Sequence, residues 1–113
     1  MFTVLFIVFG ILTSGFLYGQ NPDDFRTNGN VTFASSNNWQ RYNGTFWQGA
    51  GAPPNSTNGE ITIRSGDIAT VTADITLDEV VVNVGGNLTV NVGTELIVNT
   101  GPGPDLDVDG TLD

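Results

Sequence analysis

From Ile61 onward the chain alternates apolar and polar residues with a period of two, and the alternation breaks at glycine. Four segments align under one another: EVVVNVG from Glu79, NLTVNVG from Asn87, ELIVNTG from Glu95 and DLDVDG from Asp105. Each opens on an acid or amide and ends on Gly. Looser copies stand at DIATV from Asp67 and DITLD from Asp74. Such alternation marks a strand with one buried face, and a glycine after each short run marks a turn. Strands are therefore predicted across 61–113. Val80, Val82, Val84, Leu88, Val90, Val92, Leu96, Val98, Leu106 and Val108 are expected to face one core.

Two connectivities fit these strands. Gly85-Gly86 and Gly93-Thr94 have the form of two-residue hairpin turns, which would give an antiparallel meander or sandwich. Parity opposes that pairing. Across a two-residue loop Val84 would sit opposite Asn87, and the apolar face would change sides from strand to strand. A three-residue loop restores parity. A solenoid needs no repair, because the chain turns a corner after each short strand and keeps the same residues inward. Three segments would make one coil of about 24 residues. The expected class is all-β, a short parallel β-helix (solenoid) of about two coils, with the antiparallel meander or sandwich as the alternative.

Two regions precede the repeats. Residues 1–19 carry no charged side chain and are apolar from Phe2 to Leu12. That run falls short of the about 20 residues of a membrane span and suits the core of a secretory signal peptide. Cleavage is expected between Gly19 and Gln20, although no Lys or Arg follows Met1. The mature chain is then secreted or held at a bacterial cell surface, without stable membrane insertion. Residues 20–60 form an irregular region rich in aromatics, with Phe33, Trp39, Tyr42, Phe46 and Trp47. It is expected to cap the open end of the solenoid at 61–113. The last coil stops at GTLD without a polar cap, so the repeats read as incomplete and the chain as a fragment of a longer protein.

Charge and composition narrow the function. Twelve acids against three arginines give a formal charge of −9, which provides no cationic footprint for nucleic acid. Without Cys or His, thiol chemistry, Cys- or His-ligated zinc and a Ser-His-Asp constellation are excluded. Asp105, Asp107, Asp109 and Gly110 fit the opening of a calcium loop. However, Leu106 and Val108 occupy positions that are usually polar there, and the chain lacks the twelfth-position glutamate. The strand reading therefore takes precedence, with at most a weak calcium contact by Asp105, Asp107 and Asp109 and no other cofactor.

The segment from Asn37 through the repeats has two tryptophans (Trp39 and Trp47), a loop at Pro53-Pro54, and Ile61, Ile63 and Gly66 in I-x-I-x-x-G spacing. Val71, Leu77 and the GTL element Gly110–Leu112 continue the pattern. It resembles the amino-terminal β-solenoid region of large secreted surface proteins of Bacteroidetes bacteria, cargo of the type IX secretion route. A weaker resemblance is to the G8 domain of extracellular proteins. The first resemblance implies an adhesin-like surface protein whose remaining domains would be partners of this segment.

Flat aromatic rings stack on sugar faces, so Trp39, Tyr42 and Trp47, with Asn and Gln around them, form a candidate glycan-binding set. A glycosidase needs two carboxylates flanking a cleft. Asp67, Asp74, Asp78 and Glu79 instead have the regular outward spacing of a solvated face. The expected role is structural and non-enzymatic, with a carbohydrate-binding module as the alternative and an extracellular glycan as its partner.

Overall fold

A computed structural model describes the backbone of Leu5–Phe6, residues 20–100 and residues 105–113. The signal-peptide reading of 1–19 therefore falls outside the described residues except for that dipeptide, and the reading of Gly101–Pro104 as a loop falls outside them entirely. The described residues form an all-β structure. No helix occurs among them, and so none that is long and apolar enough to cross a membrane.

The strands in chain order are β1 (Leu5–Phe6), β2 (Phe25–Thr27), β3 (Val31–Thr32), β4 (Trp39–Tyr42), β5 (Trp47–Gly49), β6 (Glu60–Ile63) and β7 (Ile68–Val71). They continue as β8 (Ile75–Leu77), β9 (Glu79–Val82), β10 (Asn87–Val90), β11 (Leu96–Val98), β12 (Leu106–Val108) and β13 (Thr111–Leu112). A six-stranded sheet runs β12-β9-β6-β2-β4-β5, a four-stranded sheet β13-β10-β7-β3 and a three-stranded sheet β1-β11-β8. From Glu60 the chain enters the six-, four- and three-stranded sheets in turn, repeats that order, and then enters the first two again. Every described ladder between strands of this part is parallel. Ile61 lies beside Val80, Ile68 beside Asn87 and Ile75 beside Leu96. Val80 in turn lies beside Leu106, and Asn87 beside Thr111. Segments adjacent in sequence, such as β9 and β10, thus belong to different sheets and do not form hairpins.

Alternation puts one set of side chains inside. Ile61, Ile63, Ala69, Val71, Leu77, Val82, Leu88 and Leu96 are completely buried, and Val80, Val90, Val98 and Leu106 nearly so. Because the ladders are in register, these residues stack like on like from rung to rung. Each fully buried aliphatic side chain contributes about 1.5–3 kcal/mol relative to exposure. Two expected core residues lie elsewhere: Val84 and Val92 are each 72% exposed. The strands end at Val82 and Val90, and each of these valines precedes a glycine with positive φ, Gly85 at 84° and Gly93 at 83°. A left-handed glycine turns the chain sharply, so the alternation continues in the letters after the strand has ended. Val108 is only half-buried, at the outer rung.

The acid or amide at the head of a segment has a structural use at three corners. Asp24 Oδ1 accepts from Glu60 N at 2.9 Å, Asn30 Oδ1 from Ile68 N at 2.9 Å, and Asp74 Oδ1 from Glu95 N at 2.9 Å. Each bond joins neighbouring strands one residue beyond the end of their ladder and gives a backbone N–H a partner there.

The region 20–60, read from the sequence as irregular, contains β2 to β5. β2 and β3 are themselves rungs, parallel to β6 and β7. Phe25, Thr27 and Val31 supply the inward side chains there, and a long excursion through β4 and β5 separates them from the repeats. The excursion folds back antiparallel on β2, with Thr27 beside Trp39 and Phe25 beside Arg41. The buried hydroxyl of Thr27 is satisfied twice: it donates to Asp67 Oδ2 at 2.6 Å and accepts from Arg64 N at 3.0 Å.

Candidate functional site

β4 and β5 pair antiparallel, with Tyr42 opposite Trp47 and Gln40 opposite Gly49. Side chains on this hairpin alternate between faces, and that separates the three aromatic candidates. Trp39 points inward and is 2% exposed. Its ring packs 6.2 Å from that of Phe25, edge to face, and 5.1 Å from that of Phe33. Its Nε1–H donates to Thr32 O at 2.9 Å. The faces of this ring are used by the protein's own core, so a sugar could not stack on it in this arrangement.

Tyr42 and Trp47 remain together on the outer side, both half-exposed, with ring centroids 5.3 Å apart. The Arg26 guanidinium lies 4.3 Å from the Trp47 centroid, and Arg26 Nε donates to Gln40 Oε1 at 2.8 Å. Burial, followed by the charge of Arg64, holds Arg26 below the usual arginine pKa. Stacking on an indole suits a cation that has lost part of its water. Asn43 Nδ2 donates to Gln48 Oε1 at 3.2 Å beside the pair. Chemically, this surface offers one partly covered indole, one phenol and several amides.

A shallow cavity of about 440 Å³ lies elsewhere, along β3 and β7, lined by Asn30, Val31, Thr32, Asn38, Ile68 and Thr70 among others. None of the three aromatic candidates borders it. Asn38 adopts φ 64° and donates from Nδ2 to Asn30 O at 3.0 Å, so its amide is already committed to the loop.

The three aspartates of the calcium reading have different surroundings. Asp105 is 2% exposed, Asp107 half-exposed on β12, and Asp109 exposed in the turn that follows. Among the described residues no group of three or more Asp or Glu side chains converges as a metal would require, so no ligand set is assigned to these residues.

A constellation not singled out from the sequence lies on the six-stranded sheet. Glu60 and Glu79 are direct ladder partners. The same registers continue one residue beyond the strands, placing Asp24 beside Glu60 and Asp105 beside Glu79. Four carboxylates thus occupy one row across four consecutive rungs. Asp24 is relieved by its bonds from Glu60 N and from Asn21 N, each 2.9 Å. The middle of the row is not. Glu79 is pushed up to about 7, first by burial, then by the charges of Glu60, Asp78, Asp24 and Asp105. Glu60 is also raised, by burial, Asp24 and Asp107, against a lowering hydrogen bond from Thr62. The Oδ2 atom of Asp105 is buried with no hydrogen-bond partner. In the sequence the only sign is that Glu60, Glu79 and Asp105 each stand immediately before an inward residue, Ile61, Val80 and Leu106. Their proximity follows only once the register is known.

Comparison of the chain with protein-family models, with curated proteins and with solved structures gives no match.

Proposed function

We propose that this chain is a structural, non-enzymatic segment of a secreted or cell-surface protein, built as a short β-solenoid whose stacked rungs supply length and rigidity. The observation that carries this reading is the ordered return of the chain to the same three sheets, in parallel register, after about 20 residues, the lower end of the solenoid repeat range. Inward aliphatic stacks and outward Asn, Thr and Asp support it, as they would in a rigid, soluble spacer on an adhesin-like protein of the Bacteroidetes type. The aromatic residues Phe25, Phe33 and Trp39 close one end of the stack. The apolar amino terminus supports export.

Export has a direct test. Expressed in a bacterial host with an intact secretion apparatus, the full chain should be recovered outside the cytoplasm with Gln20 as its first residue by mass spectrometry. Recovery in the cytoplasm with Met1 still attached would overturn the export part of the reading.

One observation favours a second reading, a carbohydrate-binding module: Tyr42 and Trp47 present paired rings on the outer side of the hairpin. If that reading holds, the parent binds a glycan on an array and Trp47→Ala lowers the affinity by about tenfold, as loss of one stacking contact of about 1.4 kcal/mol implies. If the structural reading holds, the array shows no binding to either protein.

A further inference from the structure

The carboxylate row lacks a counter-charge. The chain has three cationic side chains, and all three are engaged elsewhere. Arg26 lies on Trp47 and Gln40. Arg41 Nε donates to Asp23 Oδ1 at 2.8 Å. Arg64 donates from Nε to Thr27 O at 2.7 Å and from Nη2 to Asn28 Oδ1 at 3.0 Å. The charged groups acting on Glu79 are Glu60 from β6, Asp24 from the turn before β2, Asp78 from its own segment and Asp105 from the segment entering β12. Asp107 of β12 acts on Glu60. All of them are acids. The row ends at Asp105, whose backbone oxygen accepts from Val80 N at 2.9 Å and whose Oδ2 is buried without a donor. A buried carboxylate oxygen whose ladder neighbour carries a second carboxylate, with no cation at hand, is satisfied most simply by a proton.

We propose that Glu79 and Asp105 hold one proton between them, the Glu79 hydroxyl donating to Asp105 Oδ2, and that this proton fastens β12 and β13 to the sheets they join and leaves for water as the pH rises to neutrality. The proton comes from solvent and returns to it, so no other reactant is needed. The sign follows from linkage. A carboxyl raised from 4.5 to about 7 in the folded chain binds more protons folded than unfolded between those values. Its contribution is fully present below the lower value, falls as the pH rises through the window, and is gone above about 7. The joint is therefore firm in mildly acidic surroundings and has loosened by neutrality, opposite to the usual behaviour of a salt-bridged carboxylate.

Hydrogen exchange on the full chain tests the proposal. The amides of Val80, Asp109, Thr111 and Asp113 donate to Asp105, Val82, Gly86 and Leu88 across this joint, whereas Asn83 and Asn87 donate to Ile63 and Asp67 beneath it. After correction for intrinsic exchange, the first four should lose about tenfold or more of their protection between about pH 5.5 and about pH 8, one pKa unit of linkage or more. Asn83 and Asn87 should keep theirs. In Glu79→Gln, a near-isosteric side chain that keeps a donor for Asp105 and cannot ionise, protection of all six should be the same at both values. Equal protection of the parent at both pH values overturns the proposal, and that measurement does not depend on any variant folding. Glu79→Gln retaining the parent's pH dependence also overturns it. So does full restoration of parental protection at the higher pH by millimolar calcium, which would make the row a cation site.

Discussion

Trp39→Ala is expected to leave the chain largely unfolded at ambient temperature, while Trp47→Ala leaves it folded. The two residues are eight positions apart and chemically identical, so the contrast isolates the effect of place. Truncating a buried tryptophan removes its transfer free energy and leaves a cavity, together costing about 3–5 kcal/mol. Here the cavity opens between Phe25 and Phe33, and Thr32 O loses its donor, which adds the penalty of an unpaired carbonyl. Small domains have only about 5–15 kcal/mol in total, and a chain of 113 residues belongs near the lower end. Trp47 loses a partly exposed contact with Arg26 and Tyr42, worth about 0.5–1 kcal/mol. Urea denaturation followed by circular dichroism distinguishes the two. Equal midpoints would mean that the hairpin does not anchor its end of the core.

The second large effect is expected at a glycine with ordinary φ. A Cβ on Gly86 would lie 2.8 Å from Ile63 O and 3.1 Å from both Arg64 O and Asn83 O. Two of these carbonyls are committed: Ile63 O accepts from Asn83 N at 3.0 Å, and Asn83 O from Gly86 N at 2.8 Å. A backbone that forms the corner between two rungs cannot withdraw as a flexible side chain could. Gly86→Ala should therefore cost about 3 kcal/mol, the upper end of the overpacking range. Gly93→Ala is the control. It has the left-handed backbone usually blamed for glycine requirements, φ 83°, but open space around its Cβ, so it should cost about 1 kcal/mol. Thermal melts of the two variants check the order. A Gly93 variant less stable than the Gly86 variant would show that torsion, and not the close approach of rungs, governs these corners.

Part of this structure was readable in the letters. The inward set from Val80 to Leu106 follows from period-two alternation, because each strand buries one face and exposes the other. The alternation misplaces Val84 and Val92 because hydropathy carries no signal of where a strand stops and the corner begins; a valine before a left-handed glycine keeps the parity but leaves the sheet. The rungs at Phe25–Thr27 and Val31–Thr32 were hidden for another reason. They lack a copy of the repeat, and Thr27 is inward through its hydroxyl bonds to Asp67 and Arg64, which no hydropathy pattern reveals. The aromatic candidates were legible as a group but not individually, since the hairpin register decides which ring is core and which is surface. The carboxylate row was least legible, because parallel pairing brings together residues that are far apart in sequence.

The commitment of all three arginines has a consequence for how the chain meets proteases. An enzyme that cuts after cationic side chains finds no lysine, and each of its three targets is held in or beside a strand: Arg26 within β2, Arg41 within β4 and Arg64 directly after β6. A protease needs an extended, detached segment in its cleft, so none of these bonds can be cut until a ladder opens. Digestion by such an enzyme then proceeds at the pace of the sheet's own opening equilibrium, because β2, β4 and β6 each have a neighbour on either side.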